Sequence, residues 1–143
     1  MEKTKTKSFE KEVRKNRFDY HFLEIIEAGI ILEGWEVKSL VKNPSLVLDG
    51  AYVKVINNEL FLVGSHVTPQ VSGNDATRFR KLLVTRRQID YLAAKVQQDR
   101  LTIVPTALVY NGKHFKVKIA LARGKNHADK REVIKQRDLS RES

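Results

Sequence analysis

Residues 101–121 read LTIVPTALVYNGKHFKVKIAL, and this stretch decides the fold class. Phe115, Val117, Ile119 and Leu121 alternate with Lys116, Lys118 and Ala120, the period of two of a strand that buries one face. Leu101 to Tyr110 is rich in β-branched residues and reads as the preceding strand. Between them stands Asn111-Gly112, the pair that best tolerates positive φ in a tight hairpin turn. Pro105 cannot donate to a ladder and so marks an edge or a bulge.

Working outward, a second hairpin is expected where Ala51–Ile56 and Leu60–His66 flank Asn57-Asn58. Tyr20–Leu32 reads as extended, with Gly29 as a bulge or bend. One helix is well signalled. Thr85 followed by Gln88 forms a capping-box pattern, and Ile89, Leu92, Ala93 and Val96 recur at helical spacing, with Arg86, Arg87, Asp90 and Lys95 on the other side. A shorter helix is expected over Trp35–Leu40, ended before Asn43-Pro44, and Pro69–Thr77 has only loop signals. About six short antiparallel strands with two or three flanking helices point to a mainly β fold. The expected form is a small closed antiparallel barrel of the oligonucleotide-binding type, since closure removes exposed strand edges. The barrel type rests partly on analogy.

Charge divides the chain of 143 residues unevenly. Residues 1–17 carry seven Lys/Arg against three Glu, and residues 123–143 carry seven against four Asp/Glu. The long middle has thirteen against ten and nearly all the apolar residues. The expected organisation is therefore a basic N-terminal arm (1–17), a folded domain (18–122) and a basic tail (123–143). The net charge of +10 attracts polyanions through counterion release. A soluble basic globule, or one drawn to anionic membranes, is the plainer alternative. The absence of cysteine excludes disulfides, cysteine-bound zinc and a thiol nucleophile, and suits a reducing cytoplasm. Neither a signal peptide nor a run of about 18 apolar residues is visible, so no membrane span is expected.

An enzyme needs an organised site, and none is legible. His21, His66, His114 and His127 are not at metal-ligand spacing with one another. There is no P-loop or Gly-x-Ser-x-Gly elbow. Glu24 and Glu27 read as solvated carboxylates on an exposed strand face rather than an acid–base pair. No cofactor or metal is expected, and a hydrolase built on Glu24 or His66 is the least supported reading. The basic clusters carry more. Arg78, Arg80 and Lys81 precede the predicted helix. Lys113, Lys116 and Lys118 project from the last hairpin, the latter two on its solvent face. Arginine grips phosphates with two prongs and lysine adds point charge; ordinary solubilising charge is the alternative for any one of them. The tail from Arg123 has good helix formers, but only Val133, Ile134 and Leu139 are large and apolar. It is expected to stay disordered until it meets an RNA surface.

Several runs resemble one family. Glu27-Ala28-Gly29-Ile30, Gly34-Trp35-Glu36-Val37-Lys38-Ser39-Leu40, Thr68-Pro69, Arg80-Lys81-Leu82-Leu83, Lys116-Val117-Lys118-Ile119, Gly124-Lys125 and Asp129-Lys130-Arg131 together resemble, in order, the SsrA-binding protein family, also called small protein B. The resemblance spans about residue 17 to the C-terminus. It implies a non-enzymatic cytoplasmic protein that binds the tRNA-like domain of transfer-messenger RNA, acting as a monomer, one to one. It also implies delivery of that RNA to stalled ribosomes, where the tail enters the small-subunit decoding centre and mRNA channel and becomes helical. Glu27, Leu83 and Lys116 match family residues tied to RNA binding, with Arg78, Arg80, Lys81, Lys113 and Lys118 as further candidates. Gly124, Lys125, His127, Asp129, Lys130, Arg131, Lys135 and Arg137 are the candidates for the ribosome, with Gly124 as the hinge. Three positions depart from the family pattern: Ala128 where a His is common, Leu139 where a Trp is common, and Val13 at an Asn position. A general RNA-binding or structural ribosomal protein is the alternative that charge and barrel pattern alone allow.

Overall fold

The structure, a computed structural model, describes residues 8–42, 46–69, 71 and 73–125. Among them the chain runs β1 (Phe9–Glu12), α1 (Arg14–Asp19), β2 (Tyr20–Ile30), α2 (Gly34–Lys42), β3 (Tyr52–Ile56), β4 (Glu59–Val63), β5 (Arg80–Leu83), α3 (Arg86–Asp99), β6 (Thr102–Tyr110) and β7 (Phe115–Gly124). The fold is mainly β. Seven strands form one antiparallel sheet in the order β1-β6-β3-β4-β5-β2-β7, and β6 also pairs with β7. Inward side chains from every layer, among them Leu60, Leu62, Leu82, Ile103, Leu108, Val117 and Ile119, make one core.

Local chemistry explains the connections. Asn57 and Asn58 both adopt left-handed backbone (φ 50° and 62°), as a two-residue hairpin turn of the right twist requires. The β6–β7 connection differs from its expectation. Tyr110 pairs with Phe115, so four residues form the turn, and Asn111 is not among the residues with positive φ. Its side chain does the work instead, accepting hydrogen bonds from the N–H groups of Lys113 (2.9 Å) and His114 (2.7 Å). Pro105 sits at a bulge against β7, and the free carbonyl there accepts from the buried Asn16 amide at 2.7 Å. The bulge in β2 falls between Phe22 and Glu24 rather than at Gly29. Gly29 is where β2 passes from one neighbour to the other, for it pairs with Lys116 and with Leu83. The Thr85–Gln88 capping box forms both reciprocal bonds, and α3 buries Ile89 and Leu92.

The N-terminal boundary is a correction. Phe9–Glu12 pairs with β6 and α1 spans the expected junction at residue 17, so the folded body begins well before residue 18. The cause is an aromatic cluster. Phe9 meets Tyr110 edge-on at 5.7 Å and Phe115 at 6.2 Å, while Tyr110 stacks on Phe115 at 4.3 Å.

A buried ion network ties α2 to β5. Glu36 and Arg80 are both fully buried. Arg80 Nε donates to Glu36 Oε2 at 2.8 Å. Its Nη1 donates to Ser65 Oγ at 2.9 Å and to the Arg78 carbonyl, and its Nη2 to the Ala76 carbonyl at 3.0 Å. Arg78 joins from the rim, bonding Glu36 and the Ile31 carbonyl. Burial pushes the Glu36 carboxyl up, but the bonds from Arg78, the Glu33 N–H and Arg80 together outweigh it and hold it below its ordinary value of 4.5. A carboxyl depressed in the folded state adds stability above its unfolded value, lost as pH falls through the folded one.

Glu36→Gln is therefore expected to cost about 3–5 kcal/mol at neutral pH, because it leaves the Arg80 charge buried and unmatched. Thermal unfolding followed by circular dichroism from pH 7 to pH 3 is expected to show the native chain losing stability below about pH 4.5 and the variant losing less over that range. Equal slopes would remove Glu36 from the acid limb.

Candidate RNA-binding surface

The outward side of the sheet presents the predicted residues because alternation leaves them there. In β7, Lys116 and Lys118 alternate with the buried Val117 and Ile119. Their neighbours come from β2, where Glu27 pairs with Lys118 and Gly29 with Lys116. Lys116 Nζ lies 3.3 Å from Glu27 Oε1, both side chains close to half exposed. Lys118 Nζ lies 2.6 Å from Glu10 Oε1, and the hydrogen bond that the ammonium donates to Glu10, helped by the carboxylate's charge, holds Lys118 above its ordinary value. Glu10 was not foreseen, since the charge pattern assigned it to an arm.

Leu83 stands opposite Gly29 and is 50% exposed. A Cβ at Gly29 would come within 3.3 Å of Leu83 Cβ, so the glycine leaves a shallow floor between Leu83 and Lys116. Ile25, on the same side of β2, is also exposed. Lys81 projects outward from β5 and pairs with Glu59. Lys113 is exposed at the β6–β7 turn. The result is an apolar strip bordered by ammonium groups, each of Lys81, Lys116 and Lys118 resting on a carboxylate. Such exposed pairs contribute only about 0–1 kcal/mol each, so an incoming phosphate can replace the carboxylate at little cost.

One predicted contact is corrected. Arg80 is fully buried and its donors are used inside the protein; it supports the surface and cannot touch RNA. Arg78 is only partly exposed and is held by Glu33 at 3.1 Å and by Glu36, which makes it a strut at the β2–α2 junction. Alternation puts Arg80 and Lys81 on opposite sides of the strand, but the run Arg-Lys-Leu-Leu puts one cation and one leucine on each side and does not say which is inward. Glu24 is exposed, as expected of a solvated carboxylate, and accepts a hydrogen bond from Tyr91, which raises the Tyr91 hydroxyl.

Gly124, expected as a hinge, is still in the ladder opposite Tyr20. The Lys125 N–H donates to the Asp19 carbonyl at 2.9 Å, and its ammonium reaches the Arg17 carbonyl at 3.4 Å. The chain is thus fixed to α1 through Lys125. His127, Asp129, Lys130, Arg131, Lys135 and Arg137, with the expected tail helix, lie outside the described residues.

The profile of the family described as SmpB protein matches residues 11–143. An SsrA-binding protein of Burkholderia vietnamiensis is 46% identical over 134 residues, 90% of either chain. One of Paraburkholderia xenovorans is 44% identical over the same share. Among solved structures, a chain from "tmRNA-SmpB: a journey to the center of the bacterial ribosome" is 36% identical, with a TM-score of 0.65, covering 89% of this chain and 94% of that one.

Proposed function

The chain belongs to the SmpB family, and from that premise we propose how its surface serves the family's work. It binds transfer-messenger RNA and delivers it to ribosomes in trans-translation. The observation that carries this is the family match over residues 11–143, which takes in both the sheet and the basic tail. The protein acts as an RNA-binding adaptor in the cytoplasm rather than as an enzyme, one copy to each RNA. The sheet is read as a closed barrel of the oligonucleotide-binding type; the pairing of β7 with both β2 and β6 supports this, because it returns the strand order to β6.

In this reading the tRNA-like domain lies across β2, β5 and β7. Lys116, Lys118 and Lys81 exchange their carboxylates for phosphates, and Lys113 adds charge at the turn. Leu83 and the floor at Gly29 admit a ribose or base edge. Before RNA arrives Glu27 holds Lys116 in place, and once released it accepts a hydrogen bond from a base. The tail, with Lys125, His127, Asp129, Lys130, Arg131, Lys135 and Arg137, enters the decoding centre and mRNA channel and becomes helical there. The hinge falls after Lys125 rather than at Gly124, a placement supported by the hydrogen bonds that hold Lys125 to α1.

Filter-binding titration against transfer-messenger RNA and an ordinary tRNA tests the partner, with strong preference for the former expected. Equal weak binding would reduce the chain to a general RNA-binding protein. Lys116→Ala is expected to weaken binding and to lower the slope of log affinity against log salt by roughly 0.9, one phosphate contact; an unchanged slope would take Lys116 off the RNA.

Glu27→Gln separates placement from charge. It removes an acid, so simple electrostatics demands tighter binding, whereas loss of the Lys116 restraint is expected to weaken it by up to about fivefold. Deleting residues 126–143 is expected to spare RNA binding and abolish tagging of stalled peptides in a reconstituted translation system. Loss of RNA binding in that truncation would place the tail in the primary site.

A further inference from the structure

Beyond the strip on β2, β5 and β7, the outward side of β3, β4 and β5 carries rings and ammonium groups in two adjacent rows. Phe61 of β4 pairs with Lys54 of β3 on one side and Lys81 of β5 on the other, giving a row Lys54–Phe61–Lys81. One step along the sheet, Tyr52 pairs with Val63. Phe79 stands just before Arg80, which pairs with Leu62. Phe79 is exposed, Arg80 buried, Lys81 half-exposed, Leu82 buried and Leu83 exposed. That alternation puts Phe79 on the same side as Lys81, next to Val63, and completes a second row Tyr52–Val63–Phe79.

Both outer rings are open, Tyr52 at 43% and Phe79 at 51% exposure. Lys54 is exposed and has no ion pair among the described residues. Lys81 rests on a carboxylate that is itself about two-fifths exposed.

We infer that this face is a stacking platform for an unpaired stretch of RNA. Rows two residues apart on a strand are separated by about 7 Å, which allows bases to lie on the rings while the sugar–phosphate backbone follows the lysines. Exposed rings interleaved with cations are the means by which proteins hold single strands without reading sequence. A protein partner fits less well, because the centres of protein interfaces are depleted in lysine, and here Lys54 and Lys81 flank the central ring. The face is also continuous with the RNA strip through Lys81 and Leu83 on β5. The inference rests on the reading that the chain handles RNA, and not on which folded RNA it handles.

The test uses the full chain, a fluorescein-labelled unstructured uridine octamer and the isolated tRNA-like domain of transfer-messenger RNA, both followed by fluorescence anisotropy. Tyr52→Ala with Phe79→Ala is expected to weaken octamer binding roughly 100-fold, about tenfold for each ring removed. The same pair is expected to leave the tRNA-like domain within about twofold. Phe79→Trp is expected to keep octamer binding, and Lys116→Ala to show the opposite selectivity, losing the folded RNA and keeping the octamer.

Because the substituted side chains are exposed, melting temperatures are expected to stay close to that of the native chain. Unchanged octamer affinity in the double variant would overturn the platform, as would a native chain that binds the folded RNA and ignores the octamer. The second outcome would leave the proposed function standing and the face open to a protein. Octamer binding that depends on Tyr52 and Phe79, without binding of the folded RNA, would uphold the platform and remove the proposed function.

Discussion

A guanidinium and a carboxylate with no access to water must be satisfied inside the protein or not be there at all. Arg80 and Glu36 meet that demand by spending their hydrogen bonds on four separate pieces of chain: α2, Ser65 after β4, the Ala76–Arg78 segment, and β5 itself. The alternation of buried and exposed side chains already sets strand register, and this network adds bonds that only close geometry satisfies. It sets where β5 enters the sheet, and β5 carries Lys81, Leu83 and, just before it, Phe79 outward. The proposed RNA surface thus depends on a charge pair buried beneath it.

The charge of the protein reads differently once folded. By composition the chain is simply basic, but Lys116, Lys118 and Lys81 are each matched to a glutamate at the surface. These acids keep ammonium groups at fixed positions in water and give way to stronger anions. On the proposed function, the surface favours a polyanion whose phosphates fall where the carboxylates now sit.

What could be read in advance follows from the range of each signal. The β6–β7 hairpin, the Asn57-Asn58 turn and the Thr85 cap rest on neighbouring residues, and local sequence states them. The outward position of Lys116 and Lys118 follows from alternation. Strand β1 has one aromatic anchor, and its partners Tyr110 and Phe115 lie about a hundred residues away, so it read as part of an arm. Arg80 looked like a phosphate ligand because its acid partner is 44 residues distant. Phe79 and Tyr52 carry no sequence signal, since a lone aromatic means nothing until pairing brings it beside a lysine row. The family resemblance supplied roles for Glu27, Leu83 and Lys116 that charge alone would not have assigned.

Strand β7 lies between β2 and β6 and supplies partners to both, yet it is the last of the described strands to be synthesised. Until it emerges, β2 and β6 each have an open edge, which is a template for aggregation. Pairing of residue 20 with residue 124 makes the fold rich in long-range closure and slow to form from its N-terminal part. A nascent chain cut short before Phe115 would leave both of those edges open at once.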